Sequence, residues 1–112
     1  MKRVLLLLLL LLTLLSSLSV AARAFDASAA WDDQCAKCHG KDGAGGTKMG
    51  KKLNIKDYTD AKVQAEFTDE QACKALKEGI KDKAGKSRMK AVEGMSDDDI
   101  NAMVKLFRGL KK

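Results

Sequence analysis

Two thiols and an imidazole fall within one short stretch, Cys35-Ala36-Lys37-Cys38-His39. Thiols three residues apart at a helix end can each add to one vinyl group of a porphyrin. The adjacent histidine then presents a ring nitrogen to the iron from one face. In an exported chain this spacing reads as covalent attachment of a c-type haem. Three other chemistries compete. A redox disulfide of the thioredoxin kind calls for a βαβ setting, which the sequence lacks. A zinc site drawing on Cys35, Cys38, His39 and Cys73 has unusual spacing, and His39 directly after Cys38 is awkward for tetrahedral closure. The third is a chance match, which export and small size argue against.

A haem iron needs a second axial ligand, and His39 is the only histidine in the chain. The candidates are Met49, Met89, Met95, Met103 and the lysines. Met103 lies on the apolar stripe of the last helix and is explained by packing. Met95 precedes the cap of that helix and serves as a staple residue. Met49 comes only ten residues after His39, in the loop that must wrap the histidine side. Met89 remains, a soft sulfur in a polar stretch between two helices with no helical face to fill. Methionine is usually core filler, but this context favours ligation, and His/Met pairs recur in c-type haem proteins.

The first residues supply the export signal. Lys2 and Arg3 precede an apolar run from Val4 to Leu15, and Ala22-Arg23-Ala24 offers small residues for cleavage. That run spans about 18 Å as a helix, against about 30 Å for a bilayer core. A cleaved signal over residues 1–24 is therefore expected, with cuts after Ala21, Ala22 or Ala30 as alternatives and an uncleaved anchor ranked below. No Leu-x-x-Cys box marks a lipoprotein. The mature domain is then residues 25–112, periplasmic or otherwise exported, with no membrane insertion.

The chain has 21 basic and 15 acidic residues, and Lys2, Arg3 and Arg23 leave with the leader, so the mature charge is only +3. That charge and the scarcity of aromatics exclude nucleic acid as a partner. A domain this small gains about 3–5 kcal/mol from its own core and needs a staple, which covalent haem would provide.

Three helices must position these residues. The first is expected at about Ala27–Lys37, with Trp31 on the face of Cys35. A glycine-rich loop, Gly40 to Gly46, follows the histidine, and Leu53 and Ile55 are candidate buried residues beyond it. The second helix opens with Thr68 as cap and Gln71 three residues on, with Cys73, Leu76 and Ile80 as its apolar face and Gly79 in its last turn. The third is capped by Ser96 and carries Asp97, Asp98 and Asp99 at the positive end of its dipole. Its stripe is Ile100, Met103, Val104, Phe107 and Leu110. No strand pattern appears, so the fold class is all-α.

With Gly40, the glycine loop, Ser87-Arg88-Met89-Lys90 and Met95 to Ile100, the chain resembles the class I cytochromes c from Trp31 to Leu110. The resemblance implies a cytochrome c fold around one haem c per chain, held by two thioethers, with the first and last helices crossing. Trp31 matches the aromatic of the first helix, and Val104 and Phe107 its partners. The implied function is one-electron transport between a redox donor and an acceptor, by a monomer that is not an enzyme. The sequence departs from the family at two places. Gly50-Lys51 stands where Gly-Pro is common, so the Lys51 carbonyl is expected to accept the histidine N–H from a loop lacking the fixed φ of proline. Lys90 stands where many bacterial relatives have proline, which should ease methionine release and let a lysine replace Met89 at raised pH.

Cys73 reads as a small buried hydrophobe rather than a redox thiol. Lys37, Lys41, Lys48, Lys51, Lys52, Lys86, Arg88 and Lys90 are balanced between a basic rim for an acidic partner surface and an ordinary solvated surface. The functional rivals are a ligand-binding haem sensor or enzyme, if Met89 is displaced, and a haem subunit of a larger redox complex.

Overall fold

The computed structural model describes residues 1–15 and 23–112. Helix α1 (Lys2–Leu15) is the apolar run near the N-terminus, with Val4 to Leu9 exposed. Among the described residues, no helix is long and apolar enough to cross a membrane. The alternative cuts after Ala21 and Ala22 lie outside the described residues. Ala30 packs against the core inside the next helix, so a cut there would remove packed structure.

The Asp26 carboxylate accepts the Ala29 N–H at 3.0 Å and starts α2 (Ala27–Gln34). Cys35, at φ −116° and ψ −41°, interrupts the helix before α3 (Ala36–His39). Backbone bonds still cross the break, from Cys35 N–H to Trp31 at 2.9 Å and from His39 N–H to Cys35 at 3.0 Å. The motif therefore sits at the end of one nearly continuous helical segment. Its C-terminal end is His39, two residues beyond the expected Lys37.

Two short helices beyond the three expected ones follow, α4 (Lys48–Lys52) and α5 (Ala61–Gln64). Helix α6 (Asp69–Glu78) opens with the full capping box between Thr68 and Gln71. It stops one residue short of Gly79, whose φ of +74° suits glycine. Ile80 is therefore exposed, not part of the α6 apolar face.

The expectation of no strands is corrected here. Gly79 turns the chain into a two-stranded antiparallel hairpin, β1 (Ile80–Lys81) and β2 (Ser87–Met89). These strands are too short to leave a periodic signal in the sequence, and the fold class remains all-α. Helix α7 (Asp97–Arg108) has a capping box between Ser96 and Asp99 and buries Ile100, Met103 and Val104.

Helix α7 packs against both α2 and α6. The core is Trp31, Cys35, Ala36 and Met103, with Leu76, Met95, Leu106, Phe107 and Leu110 around it. Helices α6 and α7 run antiparallel, with an ion pair at each end, Lys77–Asp97 and Arg108–Asp69, both at 2.8 Å. Exposed pairs of this kind contribute about 0–1 kcal/mol each. The apolar stripe therefore does most of the docking.

Candidate functional site

Cys35 is buried, and Cys38 and His39 are half-buried one helical turn away. Burial, and next the charge of Cys38, push the Cys35 thiol up to about 11. Burial lowers the His39 pKa, so the imidazole is neutral at neutral pH and keeps a lone pair for a metal. Its Nδ1 is buried with no hydrogen-bond partner among the described residues. A half-buried neutral imidazole with one buried, unsatisfied nitrogen beside two thiols fits a metal-centred group attached through those thiols.

Aromatic rings enclose the histidine. The Trp31 ring lies 5.8 Å from that of His39, and the Tyr58 ring 5.6 Å. Tyr58 packs edge-on against Phe107 at 4.6 Å, and Phe67 joins both. The chain has only five Trp, Tyr and Phe residues, and four of them meet here, so its aromatic content is spent on one wall. Trp31 Nε1 donates to the Gly40 carbonyl at 3.1 Å, fixing its ring over the turn that follows the motif. Phe107 is a neighbour of Trp31, at 6.4 Å, as the resemblance implied.

Gln64 anchors this wall and was not singled out in the sequence. It is buried at 4% exposure, and its Nε2 donates to the carbonyls of Tyr58 at 2.7 Å and Phe107 at 3.0 Å. The Arg108 guanidinium stacks on Phe67 at 4.5 Å and donates to the Phe67 carbonyl at 2.8 Å. A glutamine between polar neighbours carries no local sign of burial. Only its long-range partners reveal it.

The histidine-side loop, where Lys51 stands in place of proline, is tied directly to the motif. Thr47 Oγ1 donates to the Cys38 carbonyl at 2.7 Å and accepts the Gly50 N–H at 2.9 Å, capping α4. A Cβ on Gly50 would come within 2.3 Å of the Gly45 oxygen and 2.6 Å of the Cys38 oxygen. Glycine is thus required by close approach. The expected hydrogen bond from His39 to Lys51 is also corrected. The Lys51 carbonyl accepts the N–H of Leu53 at the end of α4, as well as that of Asn54 at 3.3 Å, and His39 Nδ1 is left without a partner.

Met89 ends strand β2 and is half-buried, opposite Ile80. A Cβ on Gly79 would meet the Met89 oxygen at 2.6 Å, so this glycine lets the methionine strand lie close. Met103, assigned to packing, is 2% exposed. Met95 packs against the core cluster.

Cys73 departs from expectation. It is half-buried outside the core, and its thiol donates to Asn101 Oδ1 at 3.3 Å between α6 and α7. A polar partner across the helix pair holds it at the edge. Among the described residues no three His, Cys, Asp or Glu side chains converge, so Cys73 does not complete a zinc site with the motif.

The cytochrome c family model matches residues 25–111. Among solved structures, the KustC0563 c-type cytochrome is similar with a TM-score of 0.66 and 29% identity, over 79% of this chain and all of that one. No curated protein matches significantly. A model match over residues 25–111, together with two thiols and an adjacent neutral histidine, leaves one conclusion: the chain belongs to the cytochrome c family, carries covalently attached haem c, and serves haem-based electron transfer.

Proposed function

We propose that Cys35 and Cys38 form the thioethers to the haem, that His39 and Met89 are its axial ligands, and that the mature chain, residues 25–112, is an exported, monomeric one-electron carrier between larger redox proteins in the periplasm or an equivalent compartment. The observation that carries this reading is the half-buried, neutral His39 with its buried Nδ1 unsatisfied among the described residues, next to Cys38 and flanked by the Trp31 and Tyr58 rings.

The haem supplies a reversible one-electron change at its iron. The chain's own residues hold that centre in place and set its potential. His39, kept neutral by burial, donates without first losing a proton. The Trp31, Tyr58 and Phe107 rings limit water on its side. A methionine sulfur favours the reduced metal and raises the potential above that of a bis-histidine centre. The experiment is a visible spectrum of the oxidised protein. A sulfur-to-iron charge-transfer band that disappears in Met89→Ala supports the ligation; a band unaffected by that change rules Met89 out.

The exposed Lys37, Lys41, Lys48, Lys51, Lys52, Lys86 and Lys90 support a basic rim that steers an acidic partner surface. The bimolecular electron-transfer rate should fall steeply as salt rises from about 0.01 to 0.15 M, where the screening length shortens from about 30 to 8 Å. A rate independent of salt would leave these lysines as ordinary solvated surface.

A further inference from the structure

The methionine-bearing segment is tied to the rest of the molecule on both sides by polar contacts far apart in sequence. Before Met89, the hairpin register steps from Ile80 opposite Met89 to Lys81 opposite Ser87. Arg88 is therefore the extra residue of a bulge, with no partner of its own across the ladder. Bulges re-aim side chains, and the Arg88 guanidinium donates to the Leu53 carbonyl at 2.6 Å. Leu53 closes α4, the helix capped onto Cys38 through Thr47.

After Met89, Gln34 holds the chain from the other side. Its Nε2 donates to the Glu93 carbonyl at 3.2 Å, and its Oε1 accepts the Glu93 N–H at 3.1 Å. One side-chain amide thus pairs with both backbone groups of a single residue, as a neighbouring strand would. Gln34 directly precedes Cys35. The two contacts join the methionine segment to both flanks of the haem-attachment motif, at Gln34 before it and at the loop docked on it.

We infer that Gln34 and Arg88 form a two-point clasp that keeps the Met89 sulfur at the iron, making them positioning residues for the sixth ligand. The inference rests on the proposed ligation by Met89. Opening the segment requires breaking the clasp, so its strength sets how readily another ligand takes the methionine's place. The exchange is a substitution: one sulfur-to-iron bond breaks, one nitrogen-to-iron bond forms, and no electron moves. The charged donor of Arg88 should contribute more than the neutral pair of Gln34.

The test is imidazole titration of the oxidised holoprotein, followed by loss of the sulfur-to-iron band. Arg88→Ala should raise the apparent imidazole affinity about tenfold and Gln34→Ala about fivefold, from the usual net worth of charged and neutral hydrogen bonds. Arg88→Lys, which keeps one donor, and Gln34→Glu, which keeps only the acceptor, should fall between these and the wild type. They also cover the case in which an alanine variant folds poorly. Ser96→Ala, which weakens α7 elsewhere, should leave the affinity unchanged, which separates a clasp from general loosening. Wild-type affinity in all four clasp variants, with the band still dependent on Met89, would overturn the clasp alone. A band that survives Met89→Ala would overturn the ligation and the clasp together.

Discussion

Tyr58 shows how one side chain joins the site to the fold. Its ring stands beside His39 and against Phe107, while its carbonyl accepts Gln64. Burial raises its pKa above the ordinary phenol value of about 10. The folded chain then retains the phenol proton over a range where the unfolded chain has lost it. Stability from this group is complete below about pH 10 and falls as pH rises through the higher folded value. Tyr58 is the only tyrosine, so the phenolate absorbance reports it alone. Its midpoint should lie above that of the unfolded chain, and Tyr58→Phe should flatten the alkaline loss of stability. An unshifted midpoint would place the ring in water. The Cys35-x-x-Cys38-His39 motif was legible from residue type and spacing, and Met89 is proposed from its place between two helices. Gln64, Gln34 and Tyr58 were not, because their roles come from partners that only the folded chain brings near.

Helix starts were the most legible elements, since a cap is a local bond between residues three apart. The box at Thr68 and the cap at Ser96 formed as expected, and at Ser96 the Asp99 side chain completes a box as well. The hairpin and the tight α4 loop were not legible, because each depends on close approach of backbone from a distant segment. This contrast gives a ranking of variants. Ser96→Ala removes one cap and should cost about 1 kcal/mol. Gly50→Ala forces a Cβ against two backbone oxygens and should cost more, of the order of 1–3 kcal/mol or above. Chemical denaturation of the two holoproteins measures both. A Gly50→Ala variant as stable as the wild type would mean that α4 docks more loosely on the motif than described.

At the scale of the whole molecule, one covalent group explains features that composition alone leaves disconnected. A small domain with few aromatics gathers four of them into one wall beside a half-buried neutral histidine that adjoins a pair of thiols. The core of Trp31, Cys35, Ala36 and Met103 is continuous with that site, so the packing that holds α2 against α7 also holds the attachment helix. The odd third cysteine stands apart on α6. The central claim is a haem closed by ligands on both faces, which suits a carrier and leaves no open position for a gas or peroxide. The most direct measurement is the visible spectrum of the reduced holoprotein before and after carbon monoxide is added. We predict a six-coordinate spectrum that the gas leaves unchanged; ready formation of a carbon monoxide adduct would contradict it and make the protein a ligand-binding haem protein instead.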